Sequence, residues 1–291
     1  MDINKIKQKK SLKELLEFGI INIDKPSGPT SFQVSEYIKK ELNLKKTSHF
    51  GTLDPAVTGV LPIALNRACR LTDFFIKKDK TYVGIMHLHK ELSLEEVKNK
   101  IKEKFLGTII QKPPVRSNVK REEREREIKK FEILEINGKE FLFLVECEAG
   151  TYIRKLIHDL GTELKVGAHM LELRRTKASI FSEDESYTLY DFERAVKEYK
   201  NGNEMFLRNM LIPGEIISKL YPIVRIKKEF IKRIIHGSPI YKNFLIKDER
   251  LKLNDIFCVF DDEKFIGVFR VVLDKKIFAK PEFVFQRIND T

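Results

Sequence analysis

One carboxylate in this chain stands out by its setting. Asp54 lies in His49-Phe50-Gly51-Thr52-Leu53-Asp54-Pro55-Ala56-Val57-Thr58-Gly59, where glycines on both sides permit backbone angles that other residues resist and Pro55 fixes the chain just after the acid. Thr52 and Thr58 add hydroxyls able to tie such a loop to its own backbone. An acid presented this way suits nucleophilic attack or stabilisation of a developing cation, although Asp-Pro and Thr-Gly are also ordinary turn chemistry. Arg154 is a second candidate. Ile153, Leu156, Ile157, Leu160 and Leu164 mark a buried helix face that places the arginine in the first turn, where the helix dipole disfavours a cation. An arginine there is better explained if an anion faces it. Tyr82 falls in an expected strand, where tyrosine is usually a core residue. His87 and His89, two apart in the same strand, share a face and could suggest metal ligands; with no third ligand evident, structural roles are favoured.

The elements that must position these residues are legible in outline. Thr30-Ser31-Phe32-Gln33 reads as a capping box opening a helix with Val34, Tyr37, Ile38 and Leu42 on one face, and Ser93-Leu94-Glu95-Glu96 as a second box with Gly107 as the stop. A helix is expected over 67–76, then the strand with Tyr82. Segments 128–136 and 139–147 flank Asn137-Gly138, a strong hairpin signal. A strand is expected near 170–175 and a capped helix over 188–200. Ile212-Pro213-Gly214 is the best boundary, and the apolar runs 255–260, 265–272 and 282–285 beyond it suggest a small β-rich module. Strands and helices in this mixed order predict an α+β fold with an antiparallel sheet.

Composition sets bounds. The 291 residues suffice for one large and one small domain. Lys+Arg of 55 against Asp+Glu of 43 gives a net charge of +12, which suits a polyanionic partner or simply solubility. Cys69, Cys147 and Cys258 are too far apart to indicate a disulfide framework or a paired-cysteine zinc site. With no segment like a signal peptide and no apolar run of membrane-spanning length, the expected location is a reducing cytoplasm.

The wording of the acid loop is more specific than its physics. Gly51-Thr52-Leu53-Asp54-Pro55 followed by Thr58-Gly59 resembles the active-site motif of the TruB family of pseudouridine synthases. Gly19-Ile20-Ile21-Asn22-Ile23-Asp24-Lys25-Pro26-Ser27-Gly28-Pro29-Thr30-Ser31 resembles the family's first motif. Lys80-Thr81-Tyr82-Val83, Ala149-Gly150-Thr151-Tyr152-Ile153-Arg154 and Gly167-Ala168-His169-Met170-Leu171-Glu172-Leu173-Arg174-Arg175-Thr176 follow in family order. The resemblance runs from about Ser11 to the C-terminus and weakens after Pro213. Met86-His87-Leu88-His89 and Gln111-Lys112-Pro113-Pro114-Val115-Arg116-Ser117-Asn118-Val119-Lys120-Arg121 look like the archaeal and eukaryotic (dyskerin-like) branch, although Phe50 stands where a serine is usual. His236-Gly237-Ser238-Pro239-Ile240 and Phe265-Ile266-Gly267-Val268 look like a PUA domain, an RNA-binding fold, with Asn254 where a glycine is common.

The polar, lysine-rich start reads as a basic arm over 1–12, and the resemblance implies a mixed, largely antiparallel pseudouridine synthase domain over 13–215 and a β-barrel-like PUA domain over 216–291. It implies isomerisation of uridine to pseudouridine in RNA, a reaction that needs no metal or redox cofactor. The expected substrates are the T-loop uridine of tRNA, guide-directed uridines of ribosomal RNA in an H/ACA ribonucleoprotein with small protein partners, or both. Asp54 would be the acting carboxylate, Arg154 its guanidinium partner and Tyr82 the aromatic lying against the base. Lys25 and Leu173 would line the pocket, while His49 would touch the extruded nucleotide or brace the loop. Arg116, Lys120, Arg121, Arg174, Arg175, Lys227 and Lys228 are candidate phosphate contacts. The alternative is a non-catalytic RNA-binding scaffold that keeps the fold for assembly, which would have no use for Asp54, Tyr82 and Arg154 together.

Overall fold

A computed structural model describes residues 1–112, 120, 122–247 and 250–285. The chain forms two compact units, one of Leu16–Leu211 and one of Met1–Leu15 with Ile212–Thr291. In chain order the elements up to the boundary are α1 (Ile3–Lys9), α2 (Leu12–Glu17), β1 (Gly19–Lys25), α3 (Ser31–Glu41), β2 (Thr47–His49), β3 (Thr58–Leu65), α4 (Thr72–Ile76), β4 (Lys80–Leu88), α5 (Leu94–Lys104), β5 (Gly107–Gln111), β6 (Arg124–Asn137), β7 (Glu140–Cys147), α6 (Ile153–Glu163), β8 (Ala168–Ala178), β9 (Phe181–Ser182), α7 (Leu189–Lys200), α8 (Met205–Met210) and β10 (Leu211–Pro213).

The first unit is built on a mixed sheet in the order β1-β3-β8-β4-β7-β6-β5, with β2 added on β3 and β9 on β8. Its pairings are antiparallel except β3 with β8. Capping boxes at Thr30, Ser93 and Thr188 open α3, α5 and α7, each satisfying two otherwise orphaned N–H groups. Asn137-Gly138 closes the β6–β7 hairpin, with Gly138 at φ 57° and Asn137 opposite Glu140. The helix expected over 67–76 divides instead into a tight 3-10 turn over Asn66–Leu71 and the short α4. Gly107 opens β5 after α5 has ended at Lys104.

Strand β4 follows the two-residue period closely. Lys80, Tyr82, Met86 and Leu88 are buried, with Gly84 between them, and the intervening residues are partly exposed. Strand β8 does not keep step with it. Residues are skipped between Thr81 and Tyr82 and again between Ile85 and Met86, so that Arg175 comes to face Tyr82 and His169 to face His87. These two bulges decide which side chains of β8 meet β4.

In the second unit, β11 (Ile223–Val224), α9 (Lys228–Ile235), β12 (Ile240–Tyr241), β13 (Ile256–Asp261), β14 (Lys264–Val271) and β15 (Ile277–Val284) follow the boundary. They form a five-stranded sheet in the order β11-β13-β14-β15-β12, wrapped on a core that includes Ile234, Phe257, Val259 and Phe269. Asn254 adopts φ 70°, the left-handed region that asparagine tolerates best after glycine. At the start of the chain, Asp2 caps α1 and Ile6 is buried. Lys10 pairs with Glu215 at 2.6 Å, and Lys5 and Lys9 pair with Glu263. No helix among the described residues is long and apolar enough to cross a membrane.

Candidate active site

The acid loop joins β2 to β3, and its backbone is held from several sides. Phe50, directly before it, is buried and stacks on Phe75 at 4.8 Å between ring centres, with Phe181 at 5.8 Å. The aromatic that departs from the family's usual serine is therefore a core anchor. The Phe50 N–H donates to the Pro62 carbonyl at 2.9 Å, and the Val57 N–H to the Asp54 carbonyl at 3.0 Å. Sequence reading expected Thr52 and Thr58 to tie the loop, but the hydroxyl that does so is Ser31's, in the first turn of α3. Its oxygen accepts from the Leu53 N–H at 2.8 Å and its proton goes to the Leu53 carbonyl at 3.1 Å. Leu53 and Val57 are buried on either side of the acid. Where β3 meets β8, a Cβ on Gly59 (φ 101°) would stand 2.2 Å from the Arg175 carbonyl oxygen, so only glycine allows the strands to close there.

Arg154 comes from the first turn of α6, as expected, and its position has a local cause. The buried Gln111 side chain accepts from the Tyr152 N–H at 3.0 Å and donates to the Tyr152 carbonyl at 3.2 Å, fixing the residue before the helix. Ile153, Leu156, Ile157 and Leu160 anchor the inner face. The anion that an arginine at a helix start calls for is Asp54, whose Oδ2 lies 2.6 Å from the Arg154 guanidinium. Their side chains are 48% and 59% exposed, respectively, so the pair stands open to an incoming ligand.

This pair sits at a cavity of about 520 Å³ whose lining also includes Tyr82, Leu173, Ile76, Lys80 and Arg175. Tyr82 and Leu173 supply its apolar wall. From sequence Arg175 was one of several candidate phosphate contacts, and its burial corrects this. It is 1% exposed, donates to the Gly51 carbonyl at 3.0 Å and the Val60 carbonyl at 2.8 Å, and reaches the Tyr82 hydroxyl. Both ends of the acid loop are thus tied to the tyrosine through one guanidinium. The available signal was alternation, since residues 173 and 175 share a strand face. Arg174, on the other face, pairs with Asp24 through two bonds of 2.9 and 3.0 Å and with Glu183 at 2.8 Å.

Burial shapes the electrostatics. Lys80 is buried with its ammonium on the Ile76 and Lys78 carbonyls, and burial, aided by the nearby Arg175 charge, pushes it down to about 8. Burial also raises the Tyr82 phenol, against the opposing pull of Arg175. Lys25 lies behind the loop with no exposed surface; its ammonium donates to the Pro26 carbonyl at 2.7 Å and to the Pro55 carbonyl at 3.0 Å. Its pKa is lowered by burial and partly restored by Asp54. His49 precedes the loop on β2, its Nδ1 buried with no hydrogen-bond partner among the described residues, and burial with the Arg175 charge lowers its pKa. The structure therefore gathers Asp54, Arg154, Tyr82 and Leu173 around one cavity, and sets Lys25 beneath the acid loop and His49 at its start. Lys120 is not among the lining residues, Lys227 and Lys228 belong to the other unit, and Arg116 and Arg121 fall outside the described residues.

An exposed acid, its oxygen held by a guanidinium, beside a tyrosine in a cavity large enough for a nucleobase can attack or stabilise a sugar–base linkage. Comparison with known proteins agrees. Residues 39–153 match the TruB family pseudouridylate synthase N-terminal domain and residues 154–218 the tRNA pseudouridylate synthase B C-terminal domain. The probable tRNA pseudouridine synthase B of Methanopyrus kandleri is 43% identical over 87% of this chain and 75% of its own length. Its counterpart from Thermococcus onnurineus is 44% identical over 87% and 76%. Among solved structures, a Cbf5-Nop10-Gar1 complex superposes with a TM-score of 0.89 at 39% identity, covering 96% of this chain and 88% of the other. An H/ACA ribonucleoprotein bound to a substrate RNA containing 2'-deoxyuridine gives 0.87 at 36% identity, covering 97% and 90%. By the two family matches and these relatives, the chain belongs to the TruB family of pseudouridylate synthases.

Proposed function

We propose that this chain isomerises uridine to pseudouridine in RNA with Asp54 as the acting carboxylate. The observation that carries this reading is the 2.6 Å contact between Asp54 and Arg154 at a cavity also lined by Tyr82 and Leu173. The reaction detaches uracil from C1′, turns it and rejoins it through C5, so a carboxylate near the sugar–base junction meets its central need. Arg154 orients the carboxylate oxygens through a charge-assisted hydrogen bond. Tyr82 receives the flipped uracil, offsetting part of an unstacking cost of a few kcal/mol. Lys25, from beneath, fixes the carbonyl of Pro55 next to the acid, and Leu173 completes the apolar wall.

The substrates that fit are tRNA, as the named relatives suggest, and ribosomal RNA presented by an H/ACA guide RNA with small proteins, as the solved assemblies suggest. We assign chemistry to 13–215 and RNA grip to the basic arm over 1–12 and the PUA-like module over 216–291, in the cytoplasm. Pseudouridine formation in unmodified tRNA by the purified chain, with Asp54→Asn alongside, tests this. Site-specific product from the parent, and none from the variant at equal RNA binding, is the expected result. If tRNA gives no product, the same assay with H/ACA RNA and its proteins must give it. Absence of product in both settings, or an Asp54→Asn variant as active as the parent, would leave the scaffold reading in its place.

A further inference from the structure

Two buried cations share the wall of the cavity at Asp54. Lys80 of β4 is 5% exposed, Arg175 of β8 is more deeply buried still, and both line the cavity. They converge under the acid loop, where a Cβ on Gly51 would stand 3.5 Å from the Arg175 guanidinium and 3.8 Å from the Lys80 Cε. Each spends its hydrogen bonds on backbone carbonyls, Lys80 on those of Ile76 and Lys78, Arg175 on those of Gly51 and Val60. Neither makes an ion pair among the described residues. The acids nearby are engaged elsewhere. Asp54 pairs with Arg154 and Asp79 with Lys129, each at 2.6 Å, and Glu148 accepts from the Glu127 N–H at 3.3 Å. Glu215 is the sole buried carboxylate among the described residues, and it belongs to the other unit. Carbonyls satisfy donors without cancelling their charge, so a positive field is left facing the cavity.

The lysine is costly to keep there. Burial and the neighbouring guanidinium both disfavour its ammonium, which titrates at about 8 and so still carries its charge at neutral pH. A methionine would fill similar space without that penalty. Capping the carbonyls at the end of α4 accounts for the hydrogen bonds but not for a charge in a cavity wall. The reaction supplies a reason. When the C1′–N1 bond breaks, its electron pair stays with the base and spreads from N1 to O2 and O4, while the positive charge left at C1′ is offset by the Asp54 carboxylate. The uracil then turns, C5 gives an electron pair to C1′, the C5 hydrogen leaves as a proton, and N1 takes up a proton from water. Between these steps the base is an anion with no bond to the sugar. Fixed charge set in place before such a species forms lowers the barrier to it.

We propose that Lys80, beside Arg175, stabilises the detached uracil anion while it turns, acting through its field rather than by contact. This rests on the reading of the chain as a pseudouridine-forming enzyme with Asp54 as its carboxylate. Arg175 also braces the acid loop, so Lys80 carries the test. Single-turnover rates are compared for the full chain, Lys80→Met and Asp54→Asn on RNA with uridine, and on the same RNA with 5-fluorouridine, at the target position. Loss of the starting nucleoside is read by chromatography after digestion. Fluorine withdraws electrons from the departing base, so its anion needs less help. Lys80→Met should be slower than the parent on uridine by at least about tenfold, short of the about 10²–10³ of a donor in direct contact. Its RNA affinity should be unchanged, its urea transition cooperative, and its loss on 5-fluorouridine clearly smaller. A Lys80→Met chain as fast as the parent would overturn the proposal, and so would an equal loss on both bases, which is what a merely structural lysine would give. Asp54→Asn reports separately on the underlying activity: if it keeps the parent rate, the fault lies with that reading and not with Lys80 alone.

Discussion

Replacing Arg154 by alanine should separate stability from chemistry. The pair it makes with Asp54 is short, but both side chains are about half exposed, and ion pairs so open to water contribute about 0–1 kcal/mol to folding. Arg154 is absent from the buried core, which at the start of α6 is formed by Ile153, Leu156 and Ile157. Urea unfolding should therefore move by less than about 1 kcal/mol. The loss in turnover is of another size. An arginine that holds the reacting carboxylate fixes its geometry, and misplacing a reacting group by about 1 Å can cost about 10²-fold in rate, or about 2.7 kcal/mol. RNA affinity, spread over many basic contacts, should change little. Single-turnover release of tritium from RNA labelled at uridine C5 measures the chemical step, because bonding at C5 expels that hydrogen; fluorescence anisotropy measures binding. Arg154→Lys should recover part of the rate, since an ammonium supplies charge without the planar fork. Equal losses in affinity and rate, or several kcal/mol of lost stability, would refute the assignment.

Tyr82→Leu should lower turnover by at least about fivefold, because stacking is worth about 1–3 kcal/mol per base; full activity in the same tritium assay would count against the base platform. Gly59→Ala should behave oppositely to Arg154→Ala. Its Cβ would press on the Arg175 carbonyl from a left-handed backbone, so stability should fall by at least about 2 kcal/mol and activity with it, and an unchanged melting temperature would contradict the close β3–β8 contact. Lys80 gives a pH prediction. Its ammonium titrates near 8 in the fold, against an ordinary value of 10.5. The unfolded chain therefore binds more protons between those values, and the fold gains stability as pH rises through that window. The gain amounts to as much as about 3 kcal/mol, and Lys80→Met should lack it; parallel stability–pH curves for the two chains would rule the idea out.

The order of elements, three capped helices and the position of Arg154 in its helix were legible because each rests on local signals within a few residues: a hydroxyl three before a carboxylate or amide, an Asn-Gly turn, a run of apolar residues at helical spacing. Phe50 and Asn254 read as departures from a pattern, yet each fits. One fills an aromatic cluster, and the other takes a backbone angle that asparagine accepts. The 67–76 segment was misjudged because its apolar spacing suits a helix while Asn66, at φ 43°, starts it as a tighter turn.

What the chain alone determined was the set of reactive side chains and the rigidity of the loop beneath Asp54, since glycine, proline and motif order are properties of the sequence. What only the tertiary structure decided was pairing across strands. Two skipped residues in β8 set Arg175 against Tyr82 and His169 against His87. Nothing local announces a bulge, because its cost and its benefit both lie in the neighbouring strand. For the same reason a buried guanidinium that ties the acid loop to the tyrosine was indistinguishable, in the sequence, from one more arginine on a basic surface.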